Sequence, residues 1–589
     1  MFKKIGASVT ALLMAASPLA AVETFAVAGR NFDTATRLEL NTERTDNTAS
    51  SGEDDFYRIS LEEAGVVTID FSHGYVDDPN DYWYIYVYDF EHNQITDKAF
   101  AGSETGTVSI CDLGLDKGDY YIQVQGSSSR WSNVDYKLKA NFTASDKWEK
   151  ELNNRFDSAT AIPVNTEISG TIDDDGEDDY YRINLAKAGV VKIDFSHEYV
   201  DDPKEYWYIY VYDFEHNQIT DKAFAGSEKG TVSICDLGLD KGDYYIQVHG
   251  SSSRWSDVDY KLKANFTASD KWEKELNNKF ETATAIPVNT EISGTIDDDG
   301  EDDFYRINLA KAGMVKIDFS HEYVDDPKEY WYIYVYDFEH NQITDKAFYG
   351  NEKGKASICE LGLDKGNYYI QVHGSSSRWS DVDYKLKANF TASDAWEKEL
   401  NNKFETATAV SLNKNYNGTI YDSNEVDVYR FSLNKQQQIT FGFKHGNADV
   451  PDNTWLMRVY DFSNNMLAET GFKGNKTKSD YSTSLNLPKG EYYVAVRSSS
   501  KHSELPYILR IRDPKDKEGI GGDIMTGDAN GDEQINVSDI AVIASFIKGI
   551  KALDTDGQSA ADVNADSKIN VTDIAMIASH IKGIKALPQ

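Results

Sequence analysis

The chain repeats itself every 124 residues, and that period constrains its folding more than any other feature. Glu-Leu-Asn-Asn begins at 151, 275 and 399; Tyr-Trp-Tyr-Ile-Tyr-Val-Tyr-Asp begins at 82, 206 and 330; Ser-Ser-Ser-Arg-Trp begins at 127, 251 and 375. Units one to three are nearly identical. A diverged fourth keeps Trp455, Tyr460-Asp-Phe-Ser-Asn and Lys489-Gly-Glu-Tyr-Tyr at the same spacing. A unit this long can enclose its own core, unlike the short repeats of a solenoid. The expected segments are 29–147, 148–271, 272–395 and 396–515, then a linker at 516–526 and a different module at 527–589.

Within a unit the pattern is β. In the second, Tyr180–Leu185, Val190–Phe195, Tyr206–Phe214, Thr231–Asp236, Tyr244–Val248 and Val258–Ala264 are short runs rich in Val, Ile, Tyr and Phe, separated by Asp, Gly, Lys-Gly and Asn turns. That predicts a fold class of four tandem all-β, jelly-roll-like antiparallel sandwiches, followed by a small α-helical module. Cys111, Cys235 and Cys359 occupy one repeated position, so they are expected as buried thiols and not as a disulfide framework.

A formal charge of -38 argues against nucleic acid, whose phosphates need clustered Lys and Arg, and against an anionic membrane surface. With 37 Tyr and 26 Phe the chain is too aromatic to be a disordered acidic polymer. Met1-Phe-Lys-Lys, the apolar run from Ile5 to Ala16, and small residues at Ala20-Ala21 and Ala26-Val27-Ala28 predict a signal peptide over 1–28. The run is too short to span a bilayer, so a secreted, extracellular protein without direct membrane insertion is expected.

The unit resembles the bacterial pre-peptidase C-terminal domain family, through Glu151-Leu-Asn-Asn, Ala159-Thr-Ala, Gly170-Thr-Ile, Asp178-Asp-Tyr-Tyr-Arg-Ile, Ala188-Gly-Val-Val, Tyr210-Val-Tyr-Asp and Lys241-Gly-Asp-Tyr-Tyr-Ile-Gln-Val. That resemblance implies a non-catalytic accessory domain of secreted enzymes.

Side chains alternate along a strand, so Trp83, Ile85 and Val87 share one face and Tyr82, Tyr84, Tyr86 and Tyr88 the other. The fourth unit keeps the first face apolar with Trp455, Met457 and Val459, but places Arg458 on the second, which predicts that the tyrosine face is at least partly open. Tyr82, Tyr84 and Tyr86, with Tyr206, Tyr208 and Tyr210 and with Tyr330, Tyr332 and Tyr334, could stack on the sugar rings of a polysaccharide. The loop residues Trp131, Trp255 and Trp379 are further candidates, and three copies raise avidity. Packing of the tyrosines beneath a loop or the second sheet is the alternative.

At the unit junctions Glu149, Glu151, Asn153 and Asn154 precede Asp173-Asp-Asp-Gly-Glu-Asp-Asp179. The candidate calcium ligands are Glu149, Glu151, Asn153 and Asp173, and Glu273, Glu275, Asn277 and Asp297, since Ca²⁺ accepts six to eight hard oxygens in irregular geometry. Solvated turn carboxylates are the alternative reading. The Glu-x-Glu-x-Asn-Asn string also resembles the calcium-binding linker of collagen-binding relatives of this fold. Unit one departs from it, with Gly29 in place of Asn153 and Ala49-Ser-Ser in place of Asp173-Asp-Asp.

The last module carries two loops with EF-hand spacing, 34 residues apart. Asp528, Asn530, Asp532, Gln534, Asn536 and Asp539 occupy positions 1, 3, 5, 7, 9 and 12 of the first; Asp562, Asn564, Asp566, Lys568, Asn570 and Asp573 occupy those of the second, position 7 contributing a backbone carbonyl. Each loop enters a helix with apolar residues at i, i+3 and i+7: Ile540, Ile543, Ile547 and Ile574, Ile577, Ile581. This arrangement over 527–587 resembles a type I dockerin. At position 6, Glu533 and Ser567 replace the usual glycine, which would weaken calcium binding by about 1 kcal/mol if that residue is left-handed.

The dockerin resemblance implies calcium as cofactor and a cohesin domain of a scaffoldin as partner, in a cellulosome-like complex. The residues facing the cohesin would be Val537, Ser538, Ala544, Ser545 and Lys548, and in the second copy Val571, Thr572, Ala578, Ser579 and Lys582. The duplication makes two binding orientations plausible. No zinc-binding His-x-x-x-His, nucleophile elbow or phosphate loop occurs, and His92, His216 and His340 each sit in a Phe-Glu-His-Asn turn. The sequence therefore reads as a secreted non-catalytic subunit that docks on a scaffoldin and presents polysaccharide-binding sandwiches. The alternatives are a spacer or protein-binding arm, or an unrecognised glycoside hydrolase.

Overall fold

The computed structural model describes residues 28–587 other than 49, 51, 131, 173–176, 252–255, 297, 299–300, 376–379, 449–452, 476–479, 499–502, 517–524, 531–533, 552, 554, 565 and 567. Residues 1–27 of the expected signal peptide, Trp131, Trp255, Trp379, Asp173, Asp297 and Asp532 thus lie outside the described residues. The chain divides into two compact units, one of Met1–Ala186, Lys192–Ile234 and Gly242–Phe266, the other of Lys187–Val191, Cys235–Lys241 and Thr267–Gln589.

The first repeat contains β1 (Thr36–Arg37), β2 (Arg44–Asp46), β3 (Asp54–Leu61), β4 (Gly65–His73), β5 (Asp81–Tyr88), β6 (Gln94–Ala101), β7 (Val108–Leu115), β8 (Gly118–Gly126) and β9 (Tyr136–Ala144). They form a five-stranded sheet in the order β1-β3-β8-β5-β6 and a four-stranded sheet in the order β2-β9-β4-β7, and both orders recur in the later repeats. Pairing is antiparallel except where the two-residue β1 runs parallel to β3. The alternation reads directly off the strands: Trp83, Ile85 and Val87 are at most 1% exposed, and Tyr57, Ile59, Val67, Ile69 and Phe71 join them between the sheets. Phe71 anchors the aromatic layer, 4.7 Å from Phe100 and 5.5 Å from Tyr136 between ring centroids.

Three strands of the second repeat escape the sequence pattern. Thr160–Ala161 and Glu167–Gly170 are too short to show a period, and Gln218–Ala225 is an edge strand in which the adjacent Ile219 and Thr220 are both buried, so no clean apolar alternation shows. Two residues lie at the expected boundaries. Ala28 is 4% exposed in the first core, so that sandwich begins before 29. Asp516, assigned to the linker, instead pairs with Arg510 through two bonds of 2.7 and 3.0 Å on the fourth sandwich. Cys235 and Cys359 are buried, Cys111 is partly so, and none of the three is in a disulfide.

The C-terminal segment has α1 (Val537–Ile547), α2 (Thr555–Ala561) and α3 (Val571–Ile581). The short α2, in a Thr-Asp-Gly-Gln stretch with no apolar period, is unanticipated by the sequence. Ile543 and Ile577, equivalent residues of α1 and α3, are fully buried with Ala529, Ala561 and Val563. Among the described residues no helix is long and apolar enough to cross a membrane.

Candidate metal centres and binding faces

The strand entering the second repeat is held from two sides. Trp148 bridges to Ser169 of its own sandwich, and the Glu151 amide donates to the Gly114 carbonyl of the preceding one across 2.9 Å. The approach is so close that a Cβ on Gly114 would lie 2.3 Å from the Glu149 carbonyl oxygen. Gly238 and Gly362 receive Glu275 and Glu399 in the same way, at 2.8 and 2.9 Å. The fourth repeat has the exposed Asn486 at that place.

This clamp carries acidic side chains inward. Carboxylate oxygens of Glu149, Glu151 and Asp179 lie within 4.8 Å of one another, as do those of Glu273, Glu275 and Asp303, and of Glu397, Glu399 and Asp427. Glu149 accepts the Thr171 amide at 2.6 Å and the Tyr181 hydroxyl at 2.8 Å. The Tyr260 hydroxyl lies 2.5 Å from that of Tyr181 and 2.6 Å from Asp179. Gly170 makes room for this network, since a Cβ there would meet Glu149 Oε2 at 2.5 Å and the Tyr260 hydroxyl at 2.4 Å. The peptide bonds Glu151-Leu152, Glu275-Leu276 and Glu399-Leu400 are cis.

Burial raises the carboxylates, to about 7 for Glu149, about 8 for Glu273 and about 7 for Glu397. Asp179, Asp303 and Asp427 are pushed well up, first by burial and then by the neighbouring Glu149, Glu273 and Glu397. Asn153 and Asp179 are fully buried, and among the described residues Asn153 Oδ1 and Asp179 Oδ1 have no hydrogen-bond partner; nor do Asn401 Oδ1, Glu425 Oε1 and Asp427 Oδ1 in the fourth repeat. Buried acceptor oxygens without donors, gathered from several carboxylates, are the donor set that suits a hard cation.

The structure brings several of the residues named from the sequence together, while Asp173 and Asp297 lie outside the described residues. Glu149 and Glu151 converge, with the Asn153 amide 3.5 Å from Glu149, and so do Glu273 and Glu275, with the Asn277 amide donating to Asp303 at 3.0 Å and to Glu275 at 3.2 Å. The aspartates that join them are Asp179 and Asp303, at the far end of the acidic runs from Asp173 and Asp297. The third centre, at Glu397, Glu399 and Asp427, is additional, although Glu397-Lys-Glu399-Leu-Asn401 keeps the spacing in the sequence.

In the C-terminal segment Asn536 and Asn570 cap α1 and α3, with Asp539 and Asp573 closing the reciprocal bonds of a capping box. Asp539 Oδ1 also accepts the Asn530 amide at 3.1 Å, and the Asp566 amide donates to Asn564 and Asp562 at 2.9 and 3.1 Å, so both loops curl around their acidic residues. Asp528, Asp539 and Asp573 are buried, and among the described residues Asp573 Oδ1 has no hydrogen-bond partner. Gln534 and Lys568 fall at position 7, where the side chain is not needed.

Among the residues expected at a cohesin, Val537 and Val571 are each 71% exposed, Lys548 and Lys582 are exposed, and Ser538, Ala544, Ser545, Ala578 and Ser579 are half-buried beside an exposed Thr572. The two helices therefore offer matching faces.

The tyrosine face is neither fully open nor covered. Tyr82, Tyr84 and Tyr86 are half-buried, as are Tyr206, Tyr208, Tyr210, Tyr330, Tyr332 and Tyr334. Tyr82, Tyr206 and Tyr330 turn their hydroxyls to Asp78, Asp202 and Asp326 at 3.3–3.4 Å. At the other end Phe32 stacks on His92 at 3.9 Å and meets Tyr88 edge-on at 5.2 Å, an arrangement repeated by Phe156 and Phe280. Tyr84 and Tyr86 lie between these two covered ends.

Comparison with known proteins divides along the same line. Over the repeats the chain is 28% identical to Collagenase ColA of Clostridium perfringens (strain 13 / Type A), across 38% of this chain and 20% of the relative. It is 24% identical to Collagenase ColT of Clostridium tetani (strain Massachusetts / E88), across 48% of this chain and 29% of the relative, so it spans less than a third of either. The pre-peptidase C-terminal domain of a Bacillus anthracis collagenase is a structural neighbour at 19% identity and a TM-score of 0.15, covering 18% of this chain and 94% of that domain. Residues 526–582 match the family of the dockerin type I domain.

Proposed function

We propose that the protein is a secreted, non-catalytic component of a cellulosome-like complex, attached through its C-terminal segment to a cohesin of a scaffoldin. The observation that carries this reading is the match to the dockerin type I domain over a segment whose two EF-hand-spaced loops each run into a capped helix. Calcium is the cofactor, held in each loop by oxygens at positions 1, 3, 5, 7, 9 and 12. Surface plasmon resonance of the full-length protein over an immobilised type I cohesin tests it. Binding that needs Ca²⁺ and disappears with chelator is expected; equal responses with and without calcium, or none at all, would count against docking.

The junction clusters of the second, third and fourth repeats hold a divalent cation, with calcium the best fit to their all-oxygen donor set. Equilibrium dialysis of the full-length protein should find more cations per chain than two dockerin loops can hold.

The repeats themselves present the half-exposed Tyr84 and Tyr86, and their counterparts, to a polysaccharide, where flat aromatic surfaces can stack on sugar rings. A second matrix is suggested by the collagenases that these repeats resemble. Co-sedimentation with insoluble starch, cellulose, xylan and fibrillar collagen separates the two. Retention on none would leave the repeats as a spacer.

A further inference from the structure

The first repeat contains the same buried tyrosine pair as the others, and a different group at its centre. Tyr57 and Tyr136 lie 2.6 Å apart, Tyr136 donates to Asp55 at 2.7 Å and Tyr57 to Asp46 at 3.1 Å. Asp55 and Glu53 stand 124 residues before Asp179 and Glu177, and Asp46 stands 124 residues before Gly170. The Asp46 carboxylate therefore receives the tyrosine hydroxyl that Glu149 receives in the second repeat, and Phe25 and Val27 occupy the sequence positions of Glu149 and Glu151.

The decisive atom is Oδ1 of the aspartate. In the second and fourth repeats it is fully buried and, among the described residues, has no hydrogen-bond partner, on Asp179 and Asp427 alike. In the first repeat the same oxygen of Asp55 accepts Arg30 Nη1 at 3.1 Å, and the same guanidinium nitrogen contacts Glu53. Arg30 stands 124 residues before Asn154, whose side chain donates to Glu177 at 3.4 Å. A second guanidinium, Arg44, pairs with Asp46 at 3.0 Å and lies 5.5 Å over the Tyr57 ring.

We infer that Arg30 is a built-in cation: it fills in the first repeat the place that a divalent ion fills in the second, third and fourth, so that the first sandwich is independent of calcium. A guanidinium can do this because it is always charged and its donors fan out in a plane toward more than one carboxylate oxygen. The chain therefore mixes one permanently satisfied sandwich with three whose acidic centres depend on an ion from solution. The inference rests on the proposed cation sites of the later repeats.

Hydrogen exchange of the full-length protein, with calcium and with chelator, separates the two claims, because Asp54–Leu61 differs in sequence from its counterparts Asp178–Leu185, Asp302–Leu309 and Val426–Leu433. Chelator should raise exchange at least tenfold in the three later strands and leave Asp54–Leu61 within twofold. Loss of protection in the first strand as well would overturn the role of Arg30. Unchanged protection in all four would overturn the cation sites, and this inference with them. Arg30→Gln supplies an independent reading: it should raise exchange of Asp54–Leu61 equally with and without calcium. If Arg30→Gln leaves that strand as protected as before, the guanidinium is not the neutralising group. Asn154→Arg in the second repeat should lower the calcium bound per chain by one; an unchanged stoichiometry counts against equivalence of the two positions.

Discussion

The Tyr260 hydroxyl sits 2.6 Å from the Asp179 carboxylate, and Tyr384 and Tyr507 hold Asp303 and Asp427 at 2.6 and 2.5 Å. Each pair joins the two sheets of one sandwich at the place where the entering strand delivers its glutamates. Tyr260→Phe removes the donor and leaves a buried carboxylate short of one bond, a cost of about 1–3 kcal/mol. Native-state hydrogen exchange of Asp178–Leu185 should show that loss locally, with the fourth repeat unaffected.

The pH dependence of the metal-free protein follows from the raised carboxylates. An acid whose folded pKa exceeds its unfolded value binds more protons in the folded state, so stability falls as pH rises between the two. For Glu149 and Glu397 the window runs from 4.5 to about 7, and for Glu273 from 4.5 to about 8. Calorimetry of chelator-treated protein should therefore find the later repeats melting lower at pH 8 than at pH 5, and added calcium should remove the difference. A higher midpoint at pH 8 without metal would contradict the sign.

The close contact at Gly238 predicts a different lesion. A Cβ there would lie 2.4 Å from the Glu273 carbonyl oxygen, a backbone atom that cannot rotate away. Gly238→Val should lift the entering strand off the second sandwich at about 1–3 kcal/mol, the scale of overpacking. Faster limited proteolysis between residues 267 and 276 is the expected readout, and Gly118→Val, whose Cβ would meet its nearest neighbour at 3.7 Å, controls for the new side chain.

Matching exposure of Val537 and Val571 predicts redundancy at the cohesin. Val537→Asp or Val571→Asp alone should weaken binding by only about twofold, as one of two equivalent modes is lost, well under the 1.4 kcal/mol of a tenfold change. The double substitution should reduce binding by more than a hundredfold. A single substitution that abolishes binding would leave one orientation only.

The alternation of Trp83, Ile85 and Val87 with tyrosines, and the 124-residue period, make the sandwiches legible before any coordinates, because strand burial is written in every second residue. The dockerin loops are legible for a related reason, since the oxygen-bearing residues of EF-hand spacing lie within twelve consecutive positions. The junction centres are harder. Their members come from an entering strand, the start of a sheet strand and two tyrosines, Tyr260 lying 111 residues from Glu149, so spacing suggests Glu149 and Glu151 but does not point to Asp179. Arg30 is invisible in the pattern because it takes part by replacing an ion, and the reading of unit one as lacking the motif stops at the missing acids. Strand Gln218–Ala225 is obscured because a buried polar residue, Thr220, follows the buried Ile219 and breaks the apolar alternation, and α2 by its lack of apolar period.

The glycine that receives each entering strand gives the array a grammar. Gly114, Gly238 and Gly362 are sockets, and the Glu-x-Glu strands at 149, 273 and 397 are plugs. An inner repeat brings one of each, so copies could be added or removed between Gly114 and Glu397 without disturbing their neighbours. The ends are not interchangeable: the first repeat has Arg30 where a plug would bring its ion, and the fourth has Asn486 where a socket would need glycine. The number of sandwiches is therefore free to vary, while the identity of the first and the last is fixed.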